Sequence, residues 1–228
     1  MLKINDANTF QRTVTGLSLI AAPLVGLLSA LLTPQFTGEI EQELVVISEH
    51  TERWLVSGFL NLITFFLFMI AVLGIVSLLR HRSVILGHVG SGLVMLGAFF
   101  HGAIIGFSLV EVPLVKSAGT LDSWTAFANQ MYENSAFIMI LLPFLSFFIG
   151  WILLAAALWR ARVVPLWIAA TIIGAVLSEF FGPEQLSPEL MFALFLIAGS
   201  YIGRKVLRLS SQELEHGTTE ARLPLRAA

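Results

Sequence analysis

The chain contains no cysteine. Disulfides, thiolate chemistry, cysteine-ligated zinc and iron–sulfur clusters are therefore excluded. Charge is scarce too: 12% of residues are Asp, Glu, Lys or Arg, against about 25% in a soluble domain. The net charge is −2 and no Lys/Arg-rich tract occurs, so nothing draws the chain to nucleic acid. No His-Glu-x-x-His and no glycine-rich phosphate loop is present. Gly90-Ser91-Gly92 is not the Gly-x-Ser-x-Gly elbow of a hydrolase and reads as a packing segment. His88 and His101 share one apolar run, rotated about 140° from each other on a helix. No other run carries a histidine, which argues against a haem held across helices. No lysine lies deep in the last run, which argues against a retinal Schiff base.

What is there is apolar. Of 228 residues, 57% are hydrophobic, and the mean hydropathy is +0.86. Runs at 13–33, 54–79, 84–112, 133–158, 163–181 and 188–203 match or approach the roughly 20 residues needed to cross about 30 Å of hydrocarbon. Lys3, Arg12, Arg80, Arg82, Arg160, Arg162, Arg204, Lys205, Arg208, Arg222 and Arg226 fall on one side of these runs, and only Arg53 and Lys116 on the other. The positive-inside rule then places both ends in the cytoplasm. The expected fold class is all-α, a polytopic transmembrane bundle of six spans in the inner or plasma membrane. Residues 1–208 form the single membrane domain and 209–228 a polar, disordered cytoplasmic tail. Lys3 and Arg12 could begin a signal peptide, but no small-x-small cleavage site follows the long first run. A retained first helix is expected.

Within the runs, Pro23 and Pro143 each remove a backbone donor. Gly102-x-x-x-Gly106, Gly199-x-x-x-Gly203 and, more weakly, Gly26-x-x-x-Ala30 allow close helix approach. They serve packing within the chain, a homodimer or a membrane-protein partner; the other partner is the lipid bilayer itself. Between the first two runs, Ile40, Leu44, Ile47 and Trp54 recur at helical spacing among five glutamates, which predicts an amphipathic helix on the outer surface. Asp122 can cap a second loop helix carrying Trp124, Ala128 and Met131.

Ionisable groups inside a bilayer are costly and mark candidate sites. Counted from the cytoplasmic edge, His101 lies about 17 residues into its run and Glu179 about 16, depths of roughly 26 and 24 Å. Both reach the outer part of the bilayer. Asn61 enters from outside in the second run, Glu111 and Glu133 lie at the same surface, and His50 leads into the second run. The ligand-binding candidates are His101, Glu179, Glu111, Glu133 and Asn61. Imidazole with carboxylates suits a divalent metal, with His50, His101 and Glu179 as the set, or a proton relay. Each has a plainer reading. His101 and Glu179 pair with each other. Glu133 and Glu189 sit at helix N-termini, where the dipole favours them. Asn61 makes a helix-packing hydrogen bond. The pattern assigns no catalytic residue and no cofactor.

Four segments carry a family resemblance. They are Arg12-Thr-Val-Thr-Gly16-Leu, Leu79-Arg80-His81 with Leu86-Gly87-His88-Val89-Gly90, Leu158-Trp159-Arg160-Ala161-Arg162-Val163-Val164-Pro165-Leu166-Trp167 with Ile173-Gly174-Ala175, and Glu189 with Ala193, Leu196 and Ile197. Together they resemble a bacterial family of multi-span membrane proteins of similar length, known only as a domain of unknown function. The resemblance implies six spans in a bacterial inner membrane and brings no activity. The long acidic first outer loop departs from it. The expected role is to bind or pass a small ligand, proton or metal through an outward-facing cavity near His101 and Glu179. A non-catalytic scaffold or accessory subunit is the alternative. An outer-leaflet lipid-modifying enzyme, with His101 and a carboxylate as acid and base, comes third.

Overall fold

The computed structural model describes residues 7–35, 40–79, 83–116, 125–126, 130, 136–183 and 186–208. These hold seven helices, α1 (Ala7–Leu32), α2 (Ile40–Glu49), α3 (Thr51–Leu79), α4 (Val84–Lys116), α5 (Ala136–Arg160), α6 (Leu166–Phe181) and α7 (Ser187–Arg208), and no strand among the described residues. Four are long and apolar enough to cross a membrane, over Thr9–Leu32, Thr51–Leu79, Val84–Gly106 and Ser187–Arg208. The apolar stretches Phe144–Arg160 and Leu166–Phe181 are shorter. The chain is thus a helical membrane protein. The Arg80-His81-Arg82 turn, the loop helix expected from Asp122 and the tail at 209–228 lie outside the described residues.

Helix ends follow local chemistry more closely than hydropathy. α6 starts at Leu166, not 163, because Pro165 (φ −69°, ψ 160°) precedes it and disfavours helix for the residue before it. It ends where the Gly182 amide donates to Ser178 O at 2.9 Å and Pro183 follows. Its 16 residues span only about 24 Å. α7 runs past Gly203 to Arg208, with Glu189 in its first turn and Lys205 and Arg208 in its last, as the helix dipole favours.

The six long helices pack as a ring in chain order, and α7 returns to α1 to close it. Neighbours are antiparallel: Gly16 meets Gly203 and Gly26 meets Phe192 across α1 and α7, while Gly58 meets Leu109 and Gly87 meets Leu79 across α3 and α4. α2 lies at one end against α3 and α4, with Ile47 fully buried and Val45 exposed. The predicted amphipathic helix is therefore packed on the bundle.

The middle of the ring is filled by aromatic rings from alternate helices. Trp151 of α5 lies 5.5 Å from Phe68 of α3 and 5.0 Å from Phe195 of α7, and Phe68 lies 5.6 Å from Phe195. Phe147 joins them at 5.8 Å from Phe68. All four are 2% exposed or less. Offset and edge contacts of this kind each add about 0.5–1.5 kcal/mol beyond area burial.

Small residues set the helix spacing, since apolar attraction between helices is weak in lipid. A Cβ on Gly150 would stand 2.6 Å from Val94 N and 2.7 Å from Gly90 O, and one on Gly97 would overlap the Phe147 backbone. α4 and α5 therefore cross backbone to backbone. Pro23 leaves the Leu19 carbonyl without its helical donor. That oxygen faces Gly199 so closely that a Cβ there would overlap it. The proline-freed carbonyl is covered by the bare backbone of α7, in a Cα–H···O contact, and opens no cavity. Ser29 Oγ donates to Ser57 O at 2.7 Å between α1 and α3, and Ser146 Oγ donates to Leu93 O at 3.2 Å between α5 and α4.

Candidate functional site

The inward stripe of α3 runs Trp54, Ser57, Asn61, Phe65, Phe68, Val72, Ile75 and Leu79, at spacings of three and four. Phe65 stacks on His101 of α4 at 4.5 Å, and Phe144 of α5 covers the other side at 4.3 Å. Phe147 and Phe148 complete the surround at 5.1 and 5.9 Å. His101 Nδ1 lies 2.8 Å from Gly97 O. A carbonyl only accepts, so Nδ1 carries the proton in this bond and Nε2 keeps its lone pair. The imidazole of α4 is thus fixed in plane and tautomer inside an aromatic cage built by α3 and α5. One turn along α3 from Phe65, Asn61 Oδ1 is buried with no hydrogen-bond partner. An unmet acceptor of this kind costs about 1–3 kcal/mol.

Glu179 follows Ile172, Ala175 and Val176 on the buried stripe of α6. It does not pair with His101. α5 separates their helices, and Phe148 meets His101 on one side and Phe180 on the other, the latter at 5.1 Å. The charge acting on Glu179 is that of Glu189, in the first turn of α7. Each carboxylate has a buried Oε2 without a partner. Glu179 and Glu189 thus stand on the two arms of the α6–α7 hairpin, each with an unmet oxygen.

The remaining candidates fall elsewhere. His50 is exposed in the turn between α2 and α3. Among the described residues no group of three His, Cys, Asp or Glu could hold a metal ion. The expected metal set of His50, His101 and Glu179 is therefore not assembled: its members sit on a surface turn, in the aromatic cage and at the α6–α7 hairpin. Glu111 lies in α4 with its side chain outside the description, and Glu133 is outside the described residues. Asn61 stands one turn along α3 from Phe65 of the His101 cage, and the charge that acts on Glu179 is that of Glu189. Glu189 was read from sequence only as a helix N-terminal charge. Its place ten residues after Glu179, across Gly182-Pro183, is the signal that the two could meet.

Compared with protein-family models, with curated proteins and with solved structures, the chain matches none of them. The resemblance carried by its four short segments therefore brings no residue role to this site.

Proposed function

We propose that this protein spans the bacterial inner membrane six times, with both ends cytoplasmic, and binds a small cation in its outward half at Glu179 and Glu189. The unmet oxygens carry the reading: two carboxylates on the arms of the α6–α7 hairpin, each with a buried oxygen that has no partner, are stabilised by a positive charge brought to that hairpin. With no third His, Cys, Asp or Glu to complete a metal set among the described residues, a proton or an ammonium group fits better than a divalent metal. Binding is favoured over passage because Phe68, Phe147, Trp151 and Phe195 fill the middle of the ring.

In detergent, methylammonium or sodium is expected to raise the unfolding temperature relative to a bulky quaternary ammonium salt at equal ionic strength. At a hundredfold excess over Kd the gain is about 2.7 kcal/mol. Glu179→Gln and Glu189→Gln should each abolish the cation effect while leaving the cation-free protein at least as stable, because one of two repelling charges is gone. A wild-type protein indifferent to every cation, or Gln variants that keep the shift, would overturn the assignment.

Orientation has its own test, made simple by the cysteine-free chain. A single cysteine at exposed His50 is expected to react with a membrane-impermeant maleimide in intact cells, and one at exposed Arg160 only after permeabilisation. The reverse pattern would invert the topology.

The scaffold reading is favoured by one feature. Ile85, Val89, Gly92, Leu96, Phe99 and Ala103 form an exposed stripe on α4 that half-buried Gly106 continues, at alternating spacings of four and three. A Cβ on Gly92 or Gly106 would meet nothing within 4 Å, which leaves room for another helix.

A further inference from the structure

The opposite end of the ring, away from α2, carries a different chemistry. α5 ends in a Schellman turn: the Arg162 amide donates to Trp159 O at 2.8 Å and the Val163 amide to Leu158 O at 2.9 Å. Arg162 occupies the left-handed position of this turn, with φ 57°. Glycine is the usual residue there, since an L side chain in that region costs about 1–2 kcal/mol. Arginine stands here at a position where its backbone is strained and its side chain is exposed. Across from it, Lys205 of α7 donates from Nζ to Val163 O at 2.6 Å. One of the three ammonium donors is spent on the turn, which fixes the head beside Arg162 with donors to spare.

Between them lies a cleft of about 330 Å³, lined by Trp159, Arg162, Val163, Pro165, Tyr201 and Lys205 among others. A second cleft of about 500 Å³ shares Tyr201 and follows α7 along Arg208, Arg204, Ser200, Ile197 and Leu196. Trp167 meets Tyr201 edge-on at 5.5 Å at the junction. Among the described residues, those lining the two clefts include four cations and no acid. The first cleft is basic and rimmed by Trp and Tyr, the side chains of the headgroup level. The second passes from arginine to exposed aliphatic surface toward the middle of the helix, over about 18 Å from Arg208 to Leu196 at 1.5 Å per residue. A topology anchor needs only the charges. It needs no strained arginine, no lysine tied to a turn and no apolar groove leading away from them.

We propose that these joined clefts hold one anionic phospholipid, its phosphate between Arg162 and Lys205 and an acyl chain along Ile197 and Leu196. Phosphate is the shared chemistry of a lipid headgroup and a free phosphate ion. The apolar continuation past Tyr201 selects the lipid, and basic pockets between helices at the inner surface are a recurrent form of lipid recognition. The site lies at the opposite end of α6 and α7 from Glu179 and Glu189 and does not depend on the cation reading.

The test uses the full chain, delipidated in detergent, with phosphatidylglycerol, phosphatidylcholine or inorganic phosphate added while thermal unfolding and native mass spectra are followed. Phosphatidylglycerol is expected to stabilise the protein and stay bound as a single copy. Phosphatidylcholine and inorganic phosphate should do neither. Arg162→Gly removes the guanidinium and suits the left-handed turn, so it should fold at least as stably without lipid yet bind phosphatidylglycerol about tenfold more weakly, the value of one charge-assisted contact. Lys205→Gln should weaken binding similarly. An equal effect from phosphatidylcholine would mean an unspecific lipid annulus, and an equal effect from inorganic phosphate a plain anion site. Either result, or an Arg162→Gly protein with undiminished lipid affinity, overturns the proposal.

Discussion

Gly199→Leu is expected to prise α7 from α1 and to be among the most damaging single changes in the chain. The Cβ alone would overlap Leu19 O, and Pro23 Cγ lies 3.4 Å away. Neither neighbour is the end of a flexible side chain, so no rotamer change relieves the clash. Overpacking of this kind costs about 1–3 kcal/mol, and more where backbone must move. Leucine adds branches to a contact that cannot accept the first carbon, so a loss above about 3 kcal/mol is expected. It should appear in detergent as a fall in unfolding temperature. Gly106→Ala is the matched control: its Cβ would meet nothing within 4 Å, and Ala is a better helix former than Gly by about 1 kcal/mol. Gly199→Leu at wild-type stability would mean that α1 and α7 do not touch as described. A cycle with Pro23→Ala adds a sharper readout. Restoring the amide at position 23 gives Leu19 O a donor in its own helix, so the two changes should couple by about 0.5–3 kcal/mol.

Trp151→Ala is the second large effect. The indole is 2% exposed and touches rings from three helices: Phe68, Phe195 and, at 6.3 Å, Phe147. Truncation leaves a cavity at the meeting point of α3, α5 and α7, for a loss of about 3–5 kcal/mol. Trp151→Phe should cost far less. It keeps a ring in the cluster and deletes an indole Nε1 that is buried without a hydrogen-bond partner, so the smaller volume is offset by an unmet donor removed, worth about 1–3 kcal/mol. Comparing the two unfolding midpoints checks this. Equal losses for Ala and Phe would show that the indole nitrogen is satisfied and its role is polar.

How far the sequence reveals the fold depends on whether a property belongs to one helix or to two. Apolar runs, and hence an all-helical membrane protein, follow from single segments. So does the existence of α2, which the spacing of Ile40, Leu44 and Ile47 predicts as a surface helix, while the burial of Ile47 against the bundle does not. The ends of α6 and α7 were misplaced because hydropathy counts Arg204, Lys205 and Arg208 as loop, whereas a helix C-terminus welcomes them, and because Pro165 delays α6. The site was half legible. The depths of His101 and Glu179 follow from counting residues, but depth fixes only one coordinate. That α5 stands between their helices, and that Phe65 and Phe144 close on the imidazole, depends on the order of helices around the ring, which no single segment encodes. Gly97 and Gly150 were missed for the same reason: each is unremarkable in its own helix and matters only because the other helix is opposite.

The return of α7 to α1 has a consequence for biosynthesis. α1 leaves the ribosome well before α7, and one of its two flanks, with the Leu19 carbonyl left donorless by Pro23, has no cover from α7 until Gly199 arrives. From Leu32 to Arg208 there are 176 residues to translate, roughly 9–35 s at about 5–20 residues per second. For that interval the nascent bundle is an open horseshoe whose last seam must be zipped after insertion of the first helix is long complete. Any stall in translation between α6 and α7 lengthens the time that seam stays unsealed.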